Sequence, residues 1–271
     1  MTGNTANDPD GGTNDEAGPE TGSDRKRSAA DSFGDSAAAY LDSAVHRAGD
    51  DLDRLAGWCE SADRALDVAT GAGHTAGALA AAGVDRVVAT DAAPAMVATA
   101  TTEFPSVEGV VADAERLPFD ADAFDAATCR IAAHHFPDPR AFVGEVARVL
   151  EPGGTFAFED NVAPDDDALD DFLNRVERTR DPTHVRSHRV GEWVEWLETA
   201  GFTVETSLVV TRTLEFEAWL GNVDASPERR RRVETVFADR PAGATEAFEV
   251  VETDDGVESF ANLKLLARAT R

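Results

Sequence analysis

From Arg64 to Glu159 the chain alternates short apolar runs with stretches of helical periodicity, and this alternation limits the fold more than any other feature. Arg64–Ala69 reads as a buried strand, followed by a glycine turn and a helix through Ala82. Arg86–Thr90 reads as a second strand with a helix from about Pro94 to Phe104, and Val107–Ala112 and Ala123–Arg130 as a third and a fourth. A helix over Pro139–Leu150 and a strand over Thr155–Glu159 complete the series. Strands alternating with helices form βαβ units, which build a parallel sheet covered on both faces.

The flanks are less regular. Residues 1–32 are rich in Gly, Asn, Asp, Thr and Pro, and such a composition predicts a disordered acidic tail. Ala39, Tyr40, Ala44, Val45, Ala48, Leu52 and Leu55 then fall at helical spacing, predicting one or two helices over 33–62 that act as a lid before a ligand-binding half at 63–160. Over 161–271 the spacing predicts helices at Leu169–Arg178 and Val190–Ala200, a strand at Thr203–Thr213 and helical stretches within Glu215–Arg240. Strands at Phe248–Thr253 and Val257–Ala267, joined by Asp254-Asp255-Gly256, read as a hairpin. No internal repeat is visible.

Composition narrows the partners. The net charge is −27, from 52 acidic and 25 basic residues, and lysine occurs only at Lys26 and Lys264. The acidic residues are spread along the whole chain, the pattern of a protein adapted to a salt-rich cytoplasm, where screening tolerates the self-repulsion. Binding along a phosphate track needs clustered cations, so nucleic acid is not an expected partner. Cys59 and Cys129 are far apart and in no ligand-like spacing, so neither a disulfide framework nor a metal site is expected. No signal-peptide pattern and no apolar run of spanning length is present, which predicts a cytoplasmic protein without membrane insertion.

The segment Leu66-Asp67-Val68-Ala69-Thr70-Gly71-Ala72-Gly73-His74 puts glycines at a strand-to-helix turn, where backbone can pass close under a ligand and a helix N-terminus offers unpaired N–H groups. Asp91 ends the second strand, 20 residues after Gly71, where a carboxylate can take both hydroxyls of a ribose. Asp113-Ala114-Glu115 follows the third strand, where a carboxylate can accept from an adenine amino group. Together they describe an adenosine site. Asp67, within the strand, would repel a pyrophosphate and suits a ligand carrying ammonium or sulfonium charge. A nicotinamide-dependent oxidoreductase stays open as an alternative, because Gly71, Gly73 and Gly77 also spell a dinucleotide-type turn. So does a catalytically silent cofactor-binding module.

The same residues, with Asp113-Ala114-Glu115-Arg116-Leu117-Pro118-Phe119, Phe124-Asp125 and Glu145-Val-Ala-Arg-Val-Leu-Glu-Pro-Gly-Gly154, resemble the class I S-adenosylmethionine-dependent methyltransferases, in the branch that includes the quinone-biosynthesis C-methyltransferases. The match runs from about Phe33 to Phe202. The resemblance implies a Rossmann-like three-layer α/β/α sandwich on a seven-stranded, mostly parallel sheet whose last strand is antiparallel. It also implies roles: Asp67 and Gly71, Ala72 and Gly73 for the methionine portion, Asp91 for the ribose, Asp113 and Ala114 for the adenine. The main chain near Arg130 would lie beside the methionine amine, and Tyr40 would close over S-adenosylmethionine. His74 departs from the small polar residue common after the glycines.

Methyl transfer needs alignment and exclusion of water rather than a covalent nucleophile. An acceptor with an acidic proton still needs a base, and His134 and His135, just past the fourth strand, are the candidates. The opposing reading is that one of them only packs the following helix. Arg180, His184 and Arg186 form a second cluster that could hold an anionic or carbonyl-bearing small-molecule acceptor, or be a solvated loop. Glu228-Arg-Arg-Arg-Arg232 reads as a solvated helix face. Cys129 reads as a packing residue and Trp193 and Trp196 as one face of a helix.

Overall fold

The computed structural model describes residues 21–42, 49–223 and 225–271, with side chains in the first helix through Gly34. Strands β1 (Arg64–Val68), β2 (Arg86–Asp91), β3 (Val107–Val111), β4 (Phe124–Arg130) and β5 (Leu150–Ala163) pair in parallel in the order β3-β2-β1-β4-β5. The short β6 (His188–Arg189) pairs with the end of β5. Beyond β5 lie β9 (Gly256–Thr270) and then β7 (Thr203–Glu215), and β9 runs antiparallel to both neighbours. β8 (Val251–Thr253) forms a hairpin with β9. The expected Rossmann-like sandwich with an antiparallel last strand is therefore present, with β6 and β8 as small additions to the seven principal strands.

Alternation within the strands explains the layers. Leu66, Val88, Ala127, Cys129, Phe156, Phe158 and Leu265 face a core closed by α5 (Pro139–Val149) and α7 (Val190–Thr199). Ala65, Val87, Ala89, Ala126, Ala157 and Leu266 face the opposite core, closed by α2 (Asp50–Trp58) and α3 (His74–Ala81). Burial on both faces is what makes these strands read as nearly continuous apolar runs. Cys129 is a free, fully buried packing residue, and Trp193 and Trp196 meet edge-to-face at 5.1 Å between ring centroids on one helix face.

A separate aromatic cluster stands beside the carboxyl ends of the strands. Phe172, Phe216, Trp219, Phe237, Phe248 and Phe260 join α6 (Asp167–Arg180), α8 (Phe216–Gly221), α9 (Pro227–Ala238) and α10 (Ala244–Ala247) to β9. Phe248, expected in a strand, lies in the turn after α10 and is buried in this cluster. The cluster fixes the α6 end and the segment that follows it above the sheet.

The largest correction concerns the N-terminus. Residues 22–32, expected to be disordered, belong to helix α1 (Gly22–Asp42), which packs against α4 (Pro94–Glu103). Ala30 and Phe33 meet Ala93 and Met96 there. Composition misjudges this segment because the helix is held by docking of a few small apolar residues rather than by an apolar stripe of its own. Residues 1–20 lie outside the described part, and the expected lid position of Tyr40 falls where side chains are not described.

Candidate active site

A cavity of about 530 Å³ opens at the carboxyl ends of β1, β2 and β4, the edge where open α/β sheets bind ligands. Its floor is the turn after β1. Ala69 and Gly71 both adopt left-handed backbone, at φ 54° each, and Thr70 N–H donates to the Thr90 carbonyl at 2.8 Å. A side chain at Gly71 would meet no protein atom within 4 Å, so glycine leaves open room at the cavity floor.

Asp91 sits where expected. Its Oδ2 accepts from Gly71 N–H at 3.0 Å and its Oδ1 from Ala93 N–H at 2.9 Å, so one carboxylate holds the glycine turn and the start of α4 while lining the cavity. Burial raises its pKa and the backbone donors oppose that rise. Asp113 and Ala114 line the same end. Here the N-terminal helix enters the site: Lys26 Nζ lies 2.7 Å from Asp113 Oδ2 and also pairs with Glu115. This end of the cavity is thus walled by α1.

Asp67 and Gly73 take other places. Asp67 does not line the cavity; it is buried beneath the turn, accepting from Thr70 Oγ1 at 2.6 Å and Thr128 Oγ1 at 2.7 Å. It secures the loop from below, and its expected direct influence on ligand charge is corrected accordingly. Burial pushes its carboxyl up to about 6, against the two threonine hydroxyls and the Ala76 amide. A folded value above the unfolded one means its contribution to stability is complete below about pH 4 and declines as pH rises through about 6.

Gly73 has φ 93°, and a Cβ there would lie 2.7 Å from Ala100 Cβ. Close approach of α3 and α4, rather than ligand contact, requires this glycine. Gly73→Ala is expected to destabilise the protein by about 2–4 kcal/mol through combined backbone strain and overpacking, read as a lowered midpoint in urea unfolding.

Arg130 lines the cavity and is held on both sides. Its Nη2 donates to Asp51 Oδ2 on α2 at 2.7 Å and its Nε to Glu159 Oε2 on β5 at 2.9 Å. Arg212 also pairs with Asp51, and Lys264 lies 3.6 Å from Glu159 Oε1. Burial alone would raise the Asp51 carboxyl, but the Arg130 and Arg212 guanidiniums hold it down at about 2.

The other end of the cavity carries the histidines. His134, His135 and His184 all line it, with ring centroids 4.2 Å apart for the first pair and 5.3 Å between His134 and His184. His134 Nδ1 is 2.6 Å from Asp160 Oδ1. A carboxylate only accepts, so Nδ1 carries the hydrogen and Nε2 is the basic atom of the neutral ring. Burial pulls the His134 pKa down, but Asp160 and, further off, Glu177 and Asp181 outweigh it and the pKa is raised. His135 is pushed down to about 4 by burial and by the charge of His134; its Nδ1 donates to the Thr183 carbonyl at 3.1 Å, and Phe33 of α1 packs edge-on against it. His184 is depressed by burial and by both other histidines. Of the three, His134 alone has its pKa raised. The described residues contain no cluster able to hold a metal ion.

Arg180 lines the cavity with its guanidinium 4.7 Å over the Trp219 ring, whereas Arg186 does not reach it and is tied to Asp170 at 2.6 Å. Sequence reasoning missed Asp160, Asn262, Lys26 and Lys264. For the last two a signal existed: a chain that otherwise uses arginine keeps two lysines, and both line this cavity.

Comparison with known proteins decides what the cavity belongs to. The sequence profile of the methyltransferase domain family matches residues 66–158. The uncharacterized methyltransferase YcgJ of Bacillus subtilis (strain 168) is 34% identical over 232 residues, covering 83% of this chain and 91% of that one. The chain belongs to the S-adenosylmethionine-dependent methyltransferases. The crystal structure of YcgJ superposes on this methyltransferase with a TM-score of 0.76 at 31% identity, covering 82% of this chain and 97% of the other. A Bacillus halodurans C-125 protein described as a methyltransferase gives 0.78 at 37% identity, with coverage of 82% and 99%. A demethylmenaquinone methyltransferase of Clavibacter sepedonicus is 42% identical, but over 95 residues, 34% of this methyltransferase and 38% of that enzyme. The expected family is thereby borne out, and the nicotinamide-dependent alternative is set aside. No helix among the described residues is long and apolar enough to cross a membrane.

Proposed function

We propose that this methyltransferase binds S-adenosylmethionine between the Gly71 turn, Asp91 and Asp113, and methylates a small-molecule acceptor held beside His134. The carrying observation is a single cavity that runs from the Asp91 carboxylate to the His134–Asp160 pair. Two further features support the fit of the cofactor. Asp91 lines the cavity, and a carboxylate that accepts two backbone bonds retains acceptor capacity for ribose hydroxyls, while Gly71 leaves space where any side chain would intrude.

When bound, S-adenosylmethionine supplies an activated methyl group on a sulfonium. The chain's own task is to orient and to move one proton. Asp160 fixes the His134 ring, and Nε2 accepts the proton that leaves the acceptor's nucleophilic atom. Lys26 and Phe33 of α1 cover one side of the cavity and His184 part of the other, which limits water. A volume of this order suits a small acceptor, and a net charge of −27 supports a partner other than nucleic acid. Two buried free cysteines and the acidic surface support a reducing, salt-rich cytoplasm as its place of work.

We divide the described chain into an N-terminal wall built by helix α1, a cofactor half at 63–160 and an acceptor side at 161–271. S-adenosylhomocysteine at 100 times its Kd is expected to stabilise the protein by about 2.7 kcal/mol, with no shift from NAD(H). Thermal unfolding with each ligand checks this, and an unshifted transition with S-adenosylhomocysteine would remove the cofactor assignment.

A further inference from the structure

The acceptor side of the cavity has a polar wall that the methyl-transfer step does not use. Strand register places Asn161 opposite Lys264 and Arg212 opposite Asn262, so Asn262 and Lys264 stand two residues apart on one face of β9. Both side chains are buried and both line the cavity.

Asn262 is oriented without ambiguity. Its Nδ2 donates to Glu177 Oε1 at 3.3 Å, and because a carboxylate only accepts, the amide cannot be turned around. Its Oδ1 has no hydrogen-bond partner among the described residues. A buried carbonyl oxygen without a donor is costly, and the residue that carries this one lines the cavity.

Lys264 complements it. Its ammonium is 3.6 Å from Glu159 Oε1, an ion pair beyond hydrogen-bond reach, and it makes no hydrogen bond to a described residue. Around it three cations, Arg130, Arg212 and Lys264, are shared between two carboxylates, Asp51 and Glu159. The buried Asp160 carboxylate adds its field, so Lys264 stands in a mixed ionic wall in which it holds its one close pair, with Glu159, at the edge of contact range.

We propose that the acceptor is a small polar molecule bearing a hydroxyl or amine donor for Asn262 Oδ1 and an anionic or carbonyl oxygen for the Lys264 ammonium. The inference rests on the proposed methyl-transfer reading and names the substrate class of that same cavity. Residues two apart on a strand are separated by about 7 Å, so the two groups belong on opposite sides of one compact skeleton, as in a meta-substituted ring.

The test uses the full chain saturated with S-adenosylhomocysteine, titrated calorimetrically with 3-hydroxybenzoate, benzoate and phenol. 3-Hydroxybenzoate is expected to bind at least about 10-fold more tightly than either single-group probe. Asn262→Leu is expected to reduce it to the affinity of benzoate and Lys264→Met to that of phenol, while the S-adenosylhomocysteine Kd stays within about twofold. Equal affinity for the three probes, or no binding by any, would overturn the proposal, and this ranking in the unmodified protein decides even if a variant does not fold. Weakened S-adenosylhomocysteine binding in Lys264→Met would also overturn it, by assigning the ammonium to the cofactor's carboxylate. Failure of S-adenosylhomocysteine to bind the unmodified protein is a different result, and it would bring down the cofactor reading first.

Discussion

Asp91→Ala is expected to raise the Kd for S-adenosylhomocysteine by about 100-fold or more. Two ribose hydroxyls donating to one carboxylate are each worth about 1.5 kcal/mol or more, and together they reach that factor. The substitution also removes the acceptor for the Gly71 and Ala93 amides, which loosens the turn that shapes the cavity floor. Isothermal titration of the variant gives the affinity directly, and circular dichroism shows whether the sheet is intact. A folded variant with unchanged affinity would contradict the ribose assignment.

His134→Gln is expected to lower kcat by about 10²–10⁴-fold, the range a positioned acid–base group contributes, with little change in cofactor affinity. Asp160→Asn should share most of that loss, because an amide in place of the carboxylate no longer enforces the tautomer with Nε2 free. The pH dependence has a definite sign. Only the neutral imidazole accepts a proton, so kcat/KM is expected to rise with pH along a limb whose pKa lies above the ordinary 6.5 of histidine. Stability moves the opposite way: a raised folded-state pKa gives stabilisation that is complete below the unfolded value and is lost as pH rises through the folded one. Activity profiles and urea midpoints on the same protein check both directions. A pH–rate limb unchanged in His134→Gln would remove this residue from the proton transfer.

The cofactor half of the fold was legible because its signals are local. A strand, a glycine turn and an acidic residue at the next strand end are fixed by backbone geometry over about 20 residues, and Gly71, Asp91 and Asp113 fall on the cavity accordingly. Asp67 and Gly73 belong to the same motif yet act behind the surface, since a motif specifies which residues a turn needs and not which of them touch a ligand. Asp160, Asn262 and Lys264 were not legible. Their importance comes from β5 and β9 meeting across about 100 residues of chain, in a register that no spacing in the sequence announces. Helix α1 was misread for a related reason: it is stabilised by Ala93 and Met96, which lie far from it along the chain.

The match to the methyltransferase domain family stops at residue 158, but the cavity does not. Lys26 and Phe33 come from before that span, and Asn161 through His184, Trp219, Asn262 and Lys264 from after it. On the proposed reading, most of the wall facing the acceptor is therefore supplied by chain outside the matched span. Likeness over 95 residues to the Clavibacter sepedonicus enzyme therefore leaves that wall outside the comparison, and with it the acceptor.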